Sequence, residues 1–359
     1  MKKLTLFFFC LLLSFACKKS SEPTPDNSSS NSNSNTSFAP ITLQSKAKFP
    51  IGAAIDHTLL QTNPTYRDIV RTEFNSITVE NMMKMGNIQP TRGQFSFDRA
   101  NVIVDYARQN NKRVHGHTLV WHESQPSWLN TFSGDSLAWE NIFRTHIQTI
   151  VSYYKGKVTS WDVVNEAFND NGTWRETIWS HRLGKDYVAR AFKYAREADP
   201  DALLFYNEYG QEYSTAKLNA MIAMAEDFKK RGIPIDGLGL QMHININTSD
   251  VGILNAISQS AKTGLKIHIS EIDIQLNPDN LNITTPTGDM LEKQRLKYRT
   301  VVKAYNALPA NQKHGITQWN VGDADSWVRT YIKRNDFPLP FNMNYQRKPA
   351  YDGILDGLE

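Results

Sequence analysis

Apolar residues recur along the chain in two alternating patterns, short continuous runs and longer stretches with helical spacing. The short runs predict strands near residues 51–55, 76–80, 113–118, 158–165, 202–207, 237–243, 266–271 and 315–319. Amphipathic helices are predicted between them, among others at residues 98–110, 139–154, 185–198, 215–231 and 288–308. Eight strand and helix repeats in roughly 320 residues predict an α/β fold, a closed (β/α)8 TIM barrel, in place of an open sheet.

The first part of the chain has a different composition. A basic start is followed by an apolar run from Leu4 to Ala16, which predicts an export signal over residues 1–17. The residues around Cys17 resemble a bacterial lipoprotein cleavage site, so cleavage before Cys17 and a lipid anchor on it are expected, with simple secretion as the alternative. Residues 18–37, rich in Ser and Asn, predict a flexible tether, and residues 38–359 the folded domain.

Composition and charge narrow the classes of partner. The 359 residues are 40% hydrophobic and 11% aromatic, which is enough for a substantial core. The net charge of +4 is mild and the basic residues are scattered, so a nucleic acid is not an expected partner. No glycine-rich phosphate-binding motif occurs, which disfavours a nucleotide cofactor. If exported, the protein is expected at the outer membrane, on its periplasmic side or at the cell surface, or else secreted.

Two of the predicted strands end on carboxylates. The run Trp161-Asp162-Val163-Val164-Asn165 leads into Glu166, and a second run about a hundred residues later ends on Glu271, with Asp273 two places further on. Paired acids of this kind suit glycoside hydrolysis, in which one acid protonates the leaving oxygen while the other attacks the sugar or activates water. An isolated strand-end glutamate is more often a helix cap or a surface ion pair.

Other polar and aromatic residues also follow predicted strands. In a barrel, catalytic groups collect at the carboxyl ends of the strands, on one face. Each residue alone has an ordinary explanation, since strand ends are generally polar, but together they predict a site. The set comprises Glu80, Asn81, His117, Asn165, Glu166, Asn207, Gln241, His243, Glu271, Asp273 and Trp319.

Six separated motifs point to one family. The segments FNSITVENMMKM, VHGHTLVWH, WDVVNEAF, GLGLQMHI, ISEID and WNVGDADSW, in order between about Phe49 and Ile354, resemble those of glycoside hydrolase family 10, the retaining endo-β-1,4-xylanases. The resemblance implies an endo-acting enzyme that cleaves xylan by double displacement and takes part in xylan degradation. Its two carboxyl groups are then expected roughly 5 to 5.5 Å apart.

Chemistry and the resemblance together assign roles to the residues. Glu166 is the expected acid and then base, and burial near aromatic rings and the charge of Glu271 would help it hold a proton. Glu271 is the expected nucleophile, bonded by His243, which Asp273 orients. The remaining expected contacts are with sugar: Asn165 to the 2-hydroxyl, His117 to the same sugar, Glu80, Asn81 and Lys84 to the next one, Gln241 beside His243, and the rings of Trp121, Trp319 and Trp327. Trp161 is expected in the core. The expected partners are xylan and xylo-oligosaccharides, with no cofactor and no metal, and the protein is expected to be a monomer.

Some residues depart from the family pattern. Trp121-His122-Glu123-Ser124 stands where the family usually has Trp-His-Ser-Gln, and Gln125 is displaced by one, so no sugar-binding glutamine is assigned there. Asn207-Glu208-Tyr209-Gly210 stands where Asn-Asp-Tyr-Asn is common, Asn342 replaces an Asp, and Val328 stands where Arg is frequent. None of these changes is at Glu166 or Glu271. Two other hypotheses stay open: a barrel that binds polysaccharide without cutting it, and a barrel enzyme of another chemistry, such as a metal-dependent isomerase or a Schiff-base aldolase.

Overall fold

Parallel strands form the centre of the structure, a computed structural model that describes residues 41–359. The strands are β1 (Ile51–Ile55), β2 (Ser76–Val79), β3 (Arg113–Gly116), β4 (Ser160–Asn165), β5 (Leu203–Glu208), β6 (Gly237–Leu240), β7 (His243–Asn245), β8 (Lys266–Gln275) and β9 (Lys313–Gln318). Strands β1 to β6 pair in sequence order, and the pairs β6–β8, β8–β9 and β9–β1 close the ring. Short β7 pairs only with the later half of β8. Eight strands therefore make the barrel, and the predicted (β/α)8 fold is confirmed.

Helices surround this ring. They are α1 (Leu43–Lys46), α2 (His57–Thr62), α3 (Pro64–Glu73), α4 (Met85–Ile88), α5 (Asp98–Gln109), α6 (Trp128–Thr131), α7 (Ser136–Tyr154), α8 (Ile178–Leu183), α9 (Tyr187–Ala198), α10 (Thr215–Lys230), α11 (Asp250–Ala261), α12 (Gly288–Asn306), α13 (Trp327–Thr330) and α14 (Pro349–Gly357), with a short 3-10 turn at Ala310–Gln312. The five helices named from the sequence are all present, with their ends shifted by up to three residues.

Helix α10 shows how the sequence makes these elements. The Ser214 side chain accepts a hydrogen bond from the backbone N–H of Lys217, which caps the first turn. Leu218, Met221, Ala225 and Phe228 then recur at helical spacing and are buried. One face of the helix is therefore apolar, and burying that face against the barrel stabilises the helix more than its intrinsic propensity does.

Strand β4 shows how the barrel wall is filled. All six of its residues are buried, because helices cover its outer face and other strands its inner face. The Trp161 ring lies beside the ring of Tyr154 in α7, with 6.1 Å between centroids, and is fully buried, as the sequence predicts. Gly116 on β3 leaves room for this ring, since an added Cβ would lie 2.2 Å from it. The next residue, Asp162, has its carboxylate beside His115 and His117, which places it inside the barrel.

Three strand boundaries differ from the prediction in ways that matter for the site. The sixth predicted strand, residues 237–243, is broken, because Met242 adopts a left-handed φ of 60° between β6 and β7. The sequence predicted that Gln241 and His243 share one strand, and this prediction is wrong. Strand β8 continues to Gln275, so Glu271 lies within it, and β3 ends at Gly116, just before His117.

The described residues, Ile41–Glu359, form one compact unit. Within them, no helix combines the length and the apolar character needed to cross a bilayer. The export signal, the lipid anchor on Cys17, the tether and the start of the folded domain at residue 38 lie outside the described residues, and all of these stay predictions.

Candidate active site

A cleft of about 900 Å³ opens at the carboxyl ends of the barrel strands. Because the strands are parallel, the residues that follow them meet at this one face. The structure brings together here twelve of the thirteen residues assigned roles from the sequence: Glu80, Asn81, Lys84, His117, Trp121, Asn165, Glu166, Gln241, His243, Glu271, Trp319 and Trp327. The thirteenth, Asp273, lies directly behind His243.

Glu271 is bound by His243, which is bound in turn by Asp273. His243 Nε2 lies 3.2 Å from Glu271 Oε2, and His243 Nδ1 lies 2.8 Å from Asp273 Oδ2. Burial alone would lower the pKa of His243, but Asp273 and Glu271 outweigh it and raise that pKa to about 10. Burial likewise would raise the pKa of Glu271, yet the bond from His243 and the nearby histidine charges bring it below its ordinary value. Glu271 is therefore a buried, ionised carboxylate beside an imidazolium.

Glu166 has a different environment. Its Oε2 accepts from the Trp121 indole N–H at 2.9 Å, and its Oε1 accepts from the side-chain amides of Asn165 and Gln241, each at 3.0 Å. Three N–H donors stabilise the ionised form of a carboxylate. Trp121 presents the polar edge of its ring, the indole N–H, to the carboxylate. These three bonds fix the direction of the Glu166 carboxylate in the cleft.

Amide side chains connect the two acids. Asn207 Nδ2 donates to Glu271 Oε1 at 2.6 Å and lies 2.9 Å from Asn165 Oδ1. Asn165 in turn donates to Glu166. Asn207 itself is fixed by the Ser270 hydroxyl, which donates to its Oδ1 at 2.6 Å. The orientations of both acids are thus coupled through a buried network that leaves few alternative arrangements.

His117 is oriented from inside the barrel. Its Nδ1 lies 2.9 Å from Asp162 Oδ2, and His115 Nε2 lies 3.0 Å from the same oxygen. Burial raises the pKa of Asp162, but the two histidines outweigh it and hold that pKa well below the ordinary range. Asp162 is therefore ionised and fixes the tautomer of His117, so that its Nε2 can face the cleft.

Within residues 41–359, two groups of side chains have spacings that a metal ion could bridge: His117, Asp162 and Glu271, and a second group of His115, His268 and His314. In the first group, Asp162 and Glu271 accept hydrogen bonds from neighbouring side chains. In the second group, Ser160 and Thr317 bind the imidazoles, and Arg113 adds a positive charge that lowers the pKa of His314 after burial. Hydrogen bonds from Ser160 and Thr317, and from His117 to Asp162, thus orient side chains in both groups.

One wall of the cleft combines a cation with flat rings. The Lys84 ammonium donates to Asn81 Oδ1 at 2.8 Å and lies 5.0 Å and 5.5 Å from the ring centroids of Trp121 and Trp319. Burial lowers the pKa of Lys84 and raises that of Glu80. Trp327 donates its indole N–H to Asp273 at 2.6 Å, so this ring also helps to fix the carboxylate that binds His243.

Several cleft residues were not assigned from the sequence. Arg175 and Tyr209 line the cleft, as do His122, Glu123 and Ser124, while Asp162 supports it from behind. Asn207 also lies behind the cleft; the sequence predicted it at a strand end of the site but gave it no role. Tyr209 follows the same predicted strand, and that position was the available signal. Arg175 lies in a long loop, where nothing local in the sequence marks it. The displaced Gln125 donates to the Trp121 carbonyl at 3.1 Å, and Val328 is fully buried away from the cleft.

Two carboxylates in contrasting environments, facing one cleft at the carboxyl end of a closed (β/α)8 barrel, define a protein of the glycoside hydrolase class. A family model agrees with this assignment. The model described as glycosyl hydrolase family 10 matches residues 41–357, which is most of the chain, and the chain therefore belongs to that family.

Individual relatives agree with this membership. The chain is 38% identical over 341 residues to an endo-β-1,4-xylanase of Cellvibrio japonicus, covering 86% of this chain and 56% of that protein. It is 37% identical over 295 residues to endo-1,4-β-xylanase B of Thermotoga neapolitana, covering 82% and 83%. The structure is similar to that of xylanase 10B of Thermotoga petrophila with xylobiose, at a TM-score of 0.83 and 35% identity, covering 89% and 98% of the two chains.

The relatives differ in length. The chain spans 56% of the Cellvibrio japonicus protein and 31% of endo-1,4-β-xylanase C of Paenibacillus barcinonensis. It spans 83% of the Thermotoga neapolitana protein. The shared part is therefore the barrel domain.

Proposed function

We propose that the protein is an endo-1,4-β-xylanase that hydrolyses β-1,4-xylosidic bonds in xylan with retention, by double displacement. The observation that carries the proposal is the contrast between the two acids. Glu271 is buried and kept ionised by His243 and Asp273, as a nucleophile must be. Glu166 faces the same cleft and bonds only to neutral N–H donors, so it can give up a proton and take one back.

Each residue has a role in the two steps. In the first, Glu271 Oε attacks the anomeric carbon while Glu166 protonates the departing glycosidic oxygen, which breaks the bond and leaves a glycosyl ester on Glu271. In the second, Glu166, now ionised, takes a proton from water as the water displaces the ester. Asn165 and His117 are placed to bond the hydroxyls of the sugar being cleaved. The bonds of Glu166 to Trp121 and Gln241 stabilise its charge between the two steps.

The proposed substrate is xylan, with xylo-oligosaccharides as products and partners. Relatives named endo-β-1,4-xylanases and the xylobiose complex of the Thermotoga petrophila enzyme support this choice. The rings of Trp121, Trp319 and Trp327 offer flat apolar faces, and Glu80, Asn81 and Lys84 offer polar groups for the next sugar. In this proposal the protein works as a monomer, without a metal or a cofactor, and binds no nucleic acid.

We further propose that the protein is exported and held to the outer membrane by a lipid on Cys17, with the tether at residues 18–37. The pattern of residues 1–17 supports this, although these residues lie outside the described part of the chain. Metabolic labelling with a radioactive fatty acid tests it. We expect label on the wild type and none on a Cys17→Ala variant. Absence of label from the wild type would favour simple secretion, and label that persists in the variant would refute Cys17 as the attachment site.

The activity is tested by product analysis on xylan, arabinoxylan and cellulose. We expect short oligosaccharides from xylan, with the β-anomer formed first in NMR spectra. Glu271→Ala and Glu166→Ala should each lower the release of reducing sugar by at least about 100-fold. The control, Glu176→Ala, removes an exposed carboxylate and should change nothing. A wild type that binds xylan without releasing sugar would instead support a binding protein, and near-full activity of either acid variant would refute the assignment.

A further inference from the structure

A cluster of charged side chains lies behind the segment that carries Glu166. The Lys217 ammonium is 3.3 Å from the Glu208 carboxylate and 2.8 Å from that of Asp170. The side chains of Lys217 and Glu208 are fully buried, and neither lines the cleft. The proposed reaction gives these groups no role. Burying an ion pair so completely costs free energy unless further hydrogen bonds satisfy its other donors and acceptors. The partners in those hydrogen bonds therefore indicate what the ion pair supports.

The Glu208 carboxylate accepts four hydrogen bonds. Its Oε1 accepts from Lys217 and from the backbone N–H of Tyr209 at 3.2 Å. Its Oε2 accepts from the Tyr206 hydroxyl at 2.6 Å and from the backbone N–H of Phe168 at 3.2 Å. Each carboxylate oxygen thus accepts two hydrogen bonds, and Glu208 shares the charge of Lys217 with Asp170.

Two of these bonds lead to the segment after Glu166. Phe168 is bonded directly, and the Tyr206 hydroxyl accepts the backbone N–H of Ala167 at 2.9 Å. Glu208 therefore holds two consecutive peptide groups next to the acid/base residue, one directly and one through Tyr206.

The backbone at Glu166 needs such support. Its φ is 59°, in the left-handed region that a glutamate adopts only at an energetic cost. Its N–H donates to the Asn207 carbonyl at 2.9 Å, and its carbonyl accepts from Arg175 Nε at 2.9 Å. The direction of the Glu166 carboxylate therefore depends on how firmly residues 166–168 are held.

We propose that Glu208 is a positioning residue that fixes residues 166–168 so that Glu166 can protonate the leaving group. This inference rests on the proposed glycosidase reaction. At the position of Glu208, the family commonly has the shorter aspartate. In this chain, the longer side chain reaches Lys217 and Phe168 together.

Leaving-group dependence separates positioning of an acid from general loss of structure. Phenyl β-xylobioside needs full protonation of its leaving group, whereas 2,4-dinitrophenyl β-xylobioside needs almost none. In Glu208→Gln, we expect kcat/KM for the phenyl substrate to fall about tenfold more than kcat/KM for the dinitrophenyl substrate, because part of the general-acid contribution is lost. Glu208→Asp, which keeps the charge, should recover part of this difference. An equal fall for both substrates, or no fall, would overturn the inference.

The matched control is Asp323→Asn. Asp323 is also a fully buried carboxylate paired with a lysine, Lys348, at 3.0 Å, and it does not line the cleft. We expect a lower melting temperature for this variant but an unchanged ratio of the two kcat/KM values. Glu208→Gln leaves the Lys217 ammonium without its Glu208 partner. If this variant does not fold, the double variant Glu208→Gln/Lys217→Met, which also removes that positive charge, is measured in its place.

The same experiment keeps the two proposals apart. A wild-type enzyme that cleaves neither xylobioside and does not cut xylan would refute the proposed function. A wild-type enzyme that cleaves both, with an unchanged ratio in the Glu208 variants, would refute only the positioning role.

Discussion

Removing the His243 imidazolium should change the pH dependence of activity. His243 is the charged donor to both Glu271, at 3.2 Å, and Asp273, at 2.8 Å. These bonds keep the pKa of Glu271 below its ordinary value although the carboxylate is buried. In His243→Ala, two buried carboxylates lose their shared positive partner. The pKa of Glu271 must then rise, because burial disfavours its charged form.

The size of the effect follows from the bond that is lost. A hydrogen bond to a charged group contributes about 1.5 to 3 kcal/mol. At about 1.4 kcal/mol per pKa unit, the loss corresponds to a rise of about one to two units. In the proposed mechanism Glu271 is the nucleophile and must be ionised, so activity is lost as the pH falls through the pKa of Glu271. The acidic limb of kcat/KM should therefore move to higher pH by about one to two units, with a fall of about 10- to 100-fold at a pH below both limbs.

The assay is the pH profile of kcat/KM on an aryl β-xylobioside, because kcat/KM reports the ionisations of the free enzyme. His181→Ala is the control, since this histidine is exposed and pairs only with Glu176 at 3.6 Å. Its profile should coincide with that of the wild type. An acidic limb that stays in place in His243→Ala, whatever the fall in rate, would refute the argument that His243 keeps Glu271 ionised.

Three further predictions concern stability, substrate binding and metals. Trp161→Ala should lower the free energy of unfolding by about 3 to 5 kcal/mol in urea titrations, because it empties a fully buried site, whereas exposed Leu137→Ala should have little effect and an equal loss would contradict the reasoning. Lys84→Met should raise KM for xylotriose about tenfold with little change in kcat, because one charge-assisted contact is lost; Lys230→Met is the surface control, and a fall in kcat alone would count against a binding role. Activity should persist in excess chelator, and loss restored by a divalent metal would revive the metal-dependent alternative.

The sequence predicted the position of Glu166 but not its backbone conformation. The short apolar run that leads to Asn165 and Glu166 placed both residues at a strand end, where the structure has them. The left-handed conformation of Glu166 was not predictable, because glutamate has no local preference for it. That conformation is stabilised by contacts from β5, some forty residues later, and by Arg175. The break at Met242 was missed for the same reason, since an apolar residue inside an apolar run predicts a continuing strand.

The residues that support the site are the least visible in the sequence. Asp162 lies within a strand and resembles an ordinary interruption of an apolar run, yet it orients His117 from the barrel interior. Glu208 and Lys217 lie on different elements, and each could have been a surface charge. The loop between β5 and α10 and the packing of α10 bring them together, fully buried.

The sequence by itself determined the alternation of strands and helices, the closed barrel, and the residues that end each strand, because side-chain periodicity and turn chemistry act locally. The tertiary structure decided which of those residues contact one another and in which protonation state. Hydrogen bonding and burial depend on groups far apart in the chain, as with His243, Glu271 and Asp273. Their pKa values are properties of the folded neighbourhood, and no single stretch of sequence contains it.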